Sequence, residues 1–519
     1  MTSQQTHRPE TAREVEQKFR IHGLFQLPDL RAIDGVADME ELGLRDLESA
    51  YFDTPDLRLA REGITLRRRT GDDEGWHLKV PERRAFPGVR TEVRLPLSVG
   101  DDAPPDELTH VVRVILRDAR VQHAATLRTH RSAWLLRNDA GRAVAELVDD
   151  AVHVLDTYGT TTARFRELEL EERDGGPALA RVADALASAG AVSGEFVAKV
   201  VRSLGPAATA PPEVGAPPEP GLDDAAGDTV TSYLAAQVRA LRFADIAFRC
   251  DPDDGEPVHQ MRVAARRLRS ALRTFRPLLE SGWASGLRDE LAWFARGLGT
   301  LREKEVLHSR LIAHASEISP DSLPHGVSTD ALRDLLDAEL GTAIVDAREN
   351  AWQILDSDRY LALHESLVAA ANGPALTARA ADPTRVVVPR LVNKEWKRLR
   401  ADADELGESS PVEDWHAVRL RAKRSRYAAD AAATALGEPA RTCARQAERL
   451  TDVLGEHQDA VQAGAYLHDL ARQVAKPEFG AALDALGQLE LAYAGTAQSR
   501  FASIWPEARR VTEESGFVG

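Results

Sequence analysis

The stretch VHQMRVAARRLRSALRTF at residues 258–275 nearly superimposes on DWHAVRLRAKRSRYAADA at residues 414–431: His259, Arg262, Arg266, Arg267 and Arg269 fall on His416, Arg419, Lys423, Arg424 and Arg426. At helical pitch, positions i, i+3, i+7 and i+10 share one side. His259, Arg262, Arg266 and Arg269 therefore form one basic stripe, and His416, Arg419, Lys423 and Arg426 form a second. A charge run on a helix is ordinarily a solvated face, but a solvated face has no reason to repeat its charges far along the chain. The repetition predicts a duplicated device for holding anions. A further match follows each stripe, LGTLREKEVL at 298–307 and LGEHQDAVQA at 454–463, where Gly299 meets Gly455 and Glu303 meets Asp459. The expected structure is an all-α duplicated helical bundle in which the two basic helices face a shared groove.

Outward from the repeat, Ala/Leu/Arg-rich helical periodicity begins at DTVTSYLAAQVRALRFADIAFRC and fills residues 228–515. Before it, the Pro, Ala and Gly of residues 205–227 read as a semi-extended linker. Residues 10–204 have a different texture. EVEQKFRI, ITLRRRT, WHLKVP, RTEVRLPL, SAWLLRN, AVAELVDD, AVHVLDT and ARFRELELEER alternate as strands do, with turn signals at Asp72-Asp73-Glu74-Gly75 and Asn138-Asp139-Ala140-Gly141. PALARVADALASAG and LTHVVRVILRDARV read as helices covering the sheet. The whole is an α+β multidomain chain.

With 519 residues, two or three domains are expected. Cys250 and Cys443 are the only cysteines, which excludes a disulfide framework and a cysteine metal site. The N-terminal segment lacks the pattern of a signal peptide, and no run of about 18 apolar residues occurs. A cytoplasmic protein with no membrane partner is expected. The formal net charge of −16 argues against the broad positive surface of a duplex-DNA binder. No specific nucleic-acid partner is expected; arginines concentrated within an acidic molecule suit a groove for a thin or compact polyanion.

In REVEQKF, Glu14, Glu16 and Lys18 occupy every second position, so on a strand they point to one side. Hard divalent ions seek such oxygen clusters, and Mg²⁺ commonly bridges carboxylates to substrate phosphates. Glu167, Glu169 and Glu171 share a face of a second strand, and Glu146 with Asp149 and Asp150 gives a third acidic end. Basic sets alternate as well: Arg67 with Arg69, His77 with Lys79, and Arg90 with Glu92 and Arg94. On any one strand this is the ordinary wet side of a sheet. Here the wet side is almost purely Glu, Arg and Lys, and closure of the sheet would make a lumen holding carboxylates for metal and cations for phosphate.

This half resembles the CYTH superfamily, the triphosphate tunnel metalloenzymes. The carriers are the ExExK set, YFDTPDLRLAREGITLRRR, WHLKVP, RTEVRLPL, LRTHR, AELVDD, RELELEE and Lys199. The resemblance implies an antiparallel β-barrel tunnel with flanking helices and chemistry centred on Glu14, Glu16 and Lys18. It implies Mg²⁺ or Mn²⁺ on Glu14, Glu16, Glu167, Glu169 and an acid of the AELVDD strand, and phosphates on Lys18, Arg67, Arg69, Lys79, Arg94, Arg128 and Lys199. Strand parity groups Asp150 with Glu146 and leaves Asp149 opposite. Arg128 and Arg131 cannot both face inward on a regular strand, and a bulge would reconcile either case. The implied activity is metal-dependent hydrolysis of inorganic triphosphate by water, with no covalent nucleophile. Thiamine triphosphate hydrolysis or adenylate cyclisation in the same tunnel, or a non-catalytic polyphosphate-binding or granule-associated role, are the alternatives.

The helical half resembles the CHAD domain, on VHQMRVAARRLRSALRTF, LGTLREKEVL, WHAVRLRAKRSRYA and LGEHQDAV. The resemblance implies binding of inorganic polyphosphate, which agrees with the stripes; a row of guanidinium groups suits a chain of phosphates. The binding set is His259, Arg262, Arg266, Arg269, Arg273, His416, Arg419, Lys423, Arg426 and His457. Leu301 stands where the second repeat has His457, and REKEV carries glutamates where the family favours aspartates. Without a reinforcing HxxxH or His/Cys pattern, these histidines read as phosphate or structural partners rather than metal ligands.

Overall fold

The computed structural model describes residues 9–82, 88–99, 103–174, 176–194, 198–216, 219–319 and 323–518. The leader reading at residues 1–8, and residues 217–218 of the expected linker, lie outside them. The chain divides into two units, one running to Glu213 and including Ile246–Asp253, the other comprising Val214–Asp245 and Asp254 onward.

The first unit is built on strands β1 (Glu10–Arg20), β2 (Asp38–Asp53), β3 (Thr65–Thr70), β4 (Gly75–Pro81), β5 (Val89–Leu95), β6 (Gln122–Arg137), β7 (Ala143–Leu155), β8 (Thr161–Glu172) and β9 (Val192–Ser193). Helices α1 (Arg58–Arg61), α2 (Asp106–Val111), α3 (Arg113–Leu116), α4 (Pro177–Ser188) and α5 (Lys199–Leu204) accompany them. The nine-stranded sheet runs β5-β4-β3-β2-β6-β7-β8-β1-β9, and β5 also pairs with β1. The first half of β1, Glu10 to Val15, pairs antiparallel with β5, and its second half, Glu16 to Arg20, with β8. Eight strands thus complete a circuit of hydrogen-bonded pairs.

Alternation along the strands explains which face is apolar. Leu168 and Leu170 of β8, Phe19 of β1 and Leu147 of β7 form a buried cluster with Val182 and Leu186 of α4. The intervening residues of β8, Glu167, Glu169 and Glu171, must then face the other way. That opposite face changes along its length: Tyr51, Leu127, Val152 and Val154 form a second apolar cluster with Ala198, Val200 and Val201 around the start of α5, and the charged positions occupy the remainder.

Four sequence expectations change here. β2, absent from the alternation reading, is a 16-residue strand, DMEELGLRDLESAYFD. Its register shifts between Glu41 and Gly43 and between Tyr51 and Phe52 break the period of two, and its acids and glycine have low strand propensity. AVAELVDD and AVHVLDT form the single strand β7. LTHVVRVILRDARV breaks at Val112, with ψ +20°, into the short helices α2 and α3. The 205–227 segment is in part folded: Gly205–Thr209 forms a 3₁₀ turn that buries Ala208, and the Val214 carbonyl accepts a 2.9 Å bond from Arg239.

The second unit is helical: α6 (Ala226–Cys250, whose end from Ile246 is counted with the first unit), α7 (Glu256–Thr274), α8 (Ser281–Gly297), α9 (Gly299–Ala315), α10 (Thr329–Leu355), α11 (Asp358–Asn372), α12 (Thr384–Asp404), α13 (Val412–Leu436), α14 (Glu438–Ala471) and α15 (Pro477–Glu514). Ser328 and Ser357 cap α10 and α11 by accepting from the amides of Ala331 and Tyr360. Leu332, Leu336 and Leu340 of α10 pack with Leu467 of α14 and Leu483 and Leu486 of α15. No described helix is long and apolar enough to cross a membrane.

Gly71 opens the turn from β3 to β4 with φ +98°, and a Cβ there would overlap the Asp46 carbonyl oxygen. Gly71→Ala is expected to cost about 2–3 kcal/mol of stability, from the strained φ and the backbone clash. Urea unfolding of the two proteins measures it; an unchanged midpoint contradicts the tight approach.

Candidate active site

The charged face encloses a cavity. Glu14, Glu16 and Lys18 of β1, Arg67 and Arg69 of β3, Lys79 of β4, Arg90 of β5, Arg131 of β6, Glu146 of β7, Glu169 and Glu171 of β8, and Lys199 at the start of α5 all line it, together with Tyr51, Thr65 and Asp73. Six carboxylates face seven cations, so nearly every buried charge has an opposite neighbour, as burial demands. The walls differ in sign. Acids dominate the adjacent strands β7, β8 and β1, whereas β3 and β4 present Arg67, Arg69 and Lys79, with Arg90 following on β5.

The ion pairs are close. Lys79 Nζ lies 2.5 Å from Glu14 and 3.5 Å from Glu92. Lys18 contacts Glu169 and lies 3.2 Å from Glu16, which Arg90 approaches at 3.4 Å. Lys199 reaches Glu169 at 2.7 Å, Asp150 at 2.8 Å and Glu167 at 3.3 Å. Arg131 donates two bonds to Asp150, at 2.8 and 2.7 Å.

Glu14, Glu16, Lys18, Arg67, Arg69, Lys79, Glu146, Glu169 and Lys199 are thus brought together. Asp150 and Glu167 are fully buried (0% exposed) behind the lining, bound to Lys199 with Arg131 and Arg202 respectively. No register shift interrupts β7 near them, so Asp149 points oppositely and pairs with Arg166. Arg94 sits at the edge, against Asp73 and 3.8 Å from Glu92. Arg128 is a correction. No bulge separates it from Arg131, so the two face opposite sides; Arg128 is half-exposed beside Glu48, and Arg131 occupies the cavity. Tyr51, Asp73, Arg90 and Glu171 line the cavity without having been assigned a role. Parity already placed Arg90 and Glu171 on the right faces, whereas Tyr51 lay on an unrecognised strand.

An all-oxygen donor set on β1, β7 and β8 fits a hard divalent cation. Among the described residues, no three acid, histidine or cysteine side chains form a ready cluster for one, because Glu14 and Glu16 are turned onto lysines.

In the helical unit, α7 packs on α13. Arg262 bonds Glu303 at 3.1 Å, and its repeat partner Arg419 lies 4.0 Å from Asp459. Burial, then Arg419 and Arg266, push Lys423 down to about 7, which places these cations with Arg262 in one repelling group. The stripes do not continue past it. Arg269 lies seven residues, about 10 Å, further along the axis than Arg262, where it meets Arg288 and Arg296 of α8. Arg426 is bound to Glu448, and Arg273 neighbours Arg424. His259 is half-buried, and His416 shares a 2.8 Å bond with Gln458. His457 is a second correction: it is only 2% exposed, and its ring lies 5.0 Å from that of Trp415 and bonds Gln498, so it is a packing residue rather than part of the basic cluster.

A profile of the CYTH domain matches residues 12–199, and one of the CHAD domain matches residues 232–468. Two Mycobacterium tuberculosis proteins, "Uncharacterized protein MT2285" from strain CDC 1551 / Oshkosh and "Uncharacterized protein Rv2226" from strain ATCC 25618 / H37Rv, are each 36% identical over 482 residues, 89% of both chains. The chain is a CYTH–CHAD protein. Among solved structures, it resembles "PptA from Streptomyces chartreusis" at 26% identity (TM-score 0.47, 55% of this chain and 99% of that one). It also resembles the CHAD domain from the plant Ricinus communis at 23% identity (TM-score 0.44, 56% and 93%).

Within the CYTH unit, electrostatics set two opposing pH dependences. Burial disfavours the charges of Glu16, Asp150 and Glu169, but Lys18 for Glu16, Lys199 and Arg131 for Asp150, and Lys18 and Lys199 for Glu169 outweigh it and hold all three below their ordinary values. Such groups add stability above the unfolded pKa and lose it as pH falls through the acid range. Glu171 is the reverse: burial, with the charges of Glu14 and Glu146, raises it to about 7 against Arg173 and Lys79. Its folded form takes up a proton that the unfolded form does not, so its contribution improves as pH falls from about 7 toward the ordinary carboxylate value. The metal-free CYTH–CHAD protein is expected to gain thermal stability between pH 8 and about 5.5 and to lose it below pH 4. Calorimetry of wild type and Glu171→Gln tests this: the variant should lack the gain on the neutral side, and an identical profile refutes the assignment.

Proposed function

We propose that the CYTH unit is a divalent-metal-dependent hydrolase of inorganic triphosphate and that the CHAD unit binds inorganic polyphosphate. The observation that carries the first part is the segregation of charge around one cavity, with acids on β7, β8 and β1 and cations on β3, β4 and β5. We read the completed circuit of strands as a tunnel whose acidic wall takes the metal and whose cationic wall takes the phosphates. Divalent metal use is general among CYTH proteins, and the oxygen donors suit Mg²⁺ or Mn²⁺. Bound there, the ion supplies charge neutralisation and activation of water.

The remaining work belongs to the chain. Arg67, Arg69, Arg90 and Arg131 offer planar donors to phosphate oxygens as negative charge shifts during in-line displacement. Burial, then Arg67 and Arg131, lower Arg69 to about 9, which still leaves it charged at neutral pH. Lys18 and Lys79 now neutralise Glu169, Glu16 and Glu14, and in the working site they exchange those carboxylates for phosphate. Water is the nucleophile. Tyr51 is the one aromatic among the described lining residues, so no stacking platform favours an adenine or thiazole ring, and the inorganic ligand is preferred over ATP or thiamine triphosphate.

In the CHAD unit, Arg262, Arg266, Arg419 and Lys423 come together from both repeats. We read this cluster as the seat of a short stretch of a polyphosphate chain. Tethering it to the tunnel unit would raise the local concentration of phosphate chains near the enzyme, in the cytoplasm or at polyphosphate granules.

Purified protein with triphosphate and Mg²⁺ should release phosphate. Glu14→Ala and Arg131→Ala should each lower kcat/KM by about 100-fold or more, while Arg128→Ala stays within about twofold, as an exposed outer residue should. No release by the wild type, or release indifferent to Glu14→Ala, defeats the enzymatic reading in favour of a binding protein.

Arg262→Ala combined with Arg419→Ala should abolish retention on immobilised long-chain polyphosphate and leave triphosphate hydrolysis intact. Equal loss of both activities would point to a single shared site.

A further inference from the structure

The turn between β3 and β4 places a carboxylate among cations assigned to phosphate. Asp73 has φ +53°, a left-handed conformation that Asp and Asn tolerate better than most side chains. The turn is anchored on both sides: Arg45 holds Asp72 at 2.7 Å, and the Gly71 amide donates to Glu74 at 3.0 Å. Asp73 itself lines the cavity. Its carboxylate contacts Arg94, lies 3.5 Å from Arg69 Nη1 and 4.0 Å from His77 Nε2, while its carbonyl oxygen is 3.0 Å from the same imidazole nitrogen. Burial, then the Arg67 charge, push His77 down to about 4, so the ring is neutral at physiological pH and the carboxylate answers to the two arginines.

Arg67 and Arg131 repel Arg69 and Asp150 attracts it, while its own hydrogen bonds go to the Asp73 carboxylate and the Ser49 hydroxyl, at 3.5 and 3.4 Å. We propose that Asp73 is an internal competitor for phosphate: its carboxylate occupies Arg69 and Arg94 until a polyanion displaces it, and it thereby sets the charge that a ligand must bring to enter. This inference rests on the reading of the cavity as a triphosphate site. One carboxylate offers a single charge, whereas the end of a triphosphate chain offers up to two on three oxygens, which suits two guanidinium groups better. Displacement still reduces apparent affinity by the fraction of molecules in which Asp73 is released.

A turn anchor and a competitor predict opposite results. Asp73→Asn and Asp73→Gly both suit a positive φ, so either removes the charge without forcing the turn. Calorimetric titration of the full chain with sodium tripolyphosphate, in EDTA and low salt, should show Kd falling by about 5- to 10-fold in both variants. Orthophosphate binding should strengthen in parallel. Unchanged or weaker binding in variants that keep the wild-type melting temperature overturns the competitor and leaves the triphosphate site standing. Absence of tripolyphosphate binding in all three proteins, in EDTA and again with Mg²⁺ present, overturns the site reading and this inference with it.

Discussion

A charge withdrawn from water must find an opposite charge, and in the CYTH unit that requirement is met by one alternating chain of ion pairs. Arg90 meets Glu16, Glu16 meets Lys18, Lys18 meets Glu169, Glu169 meets Lys199, Lys199 meets Asp150, and Asp150 meets Arg131. The chain links β5, β1, β8, α5, β7 and β6, so its electrostatics and the order of the strands are mutually dependent. Buried ion pairs seldom exceed apolar packing as a source of stability, and removing one partner strands the next. The network is therefore better explained by what it can bind than by what it contributes to folding. The energy that holds the sheet comes from its other face, where Leu168, Leu170 and Phe19 pack with α4, and from the apolar cluster around Val200 and Val201.

Much of this was legible because a strand has a period of two. Once Leu168 and Leu170 are inside an apolar layer, Glu167, Glu169 and Glu171 have only one direction left, and the same reasoning separates Asp150 from Asp149. Parity could not choose between Arg128 and Arg131, because it fixes only that they differ. The choice is made by the neighbour across the strand pair: Asp150 stands opposite Arg131, while His153 stands opposite Arg128. β2 was illegible for a related reason. Two register shifts and a glycine interrupt its period, and with it went Tyr51, whose place in the cavity depends on pairing with Arg67.

Helical periodicity was less informative, since it orders residues around an axis but says nothing about which helix crosses at a given height. The charge identities of Arg262 and Arg419 carried over faithfully, down to the acid each one meets, Glu303 of α9 for the first and Asp459 of α14 for the second. Arg269 and Arg426 share the same sides of their helices, yet one faces arginines of α8 and the other Glu448. His457 looked like a groove residue because its own helix carries it next to Gln458 and Asp459, but Trp415 and Gln498 close over it from two other helices.

The two repeats also differ where they meet. Arg266 in the first is Lys423 in the second, and a guanidinium keeps its charge where an ammonium does not. Burial, with Arg419 and Arg266 beside it, brings Lys423 to about 7, so at neutral pH this position relieves the repulsion by shedding part of its charge. If a polyanion binds there as proposed, its negative oxygens favour the ammonium and binding takes up a proton. A cluster built of four arginines would bind through fixed charge alone. The single lysine lets the cluster ease its own crowding.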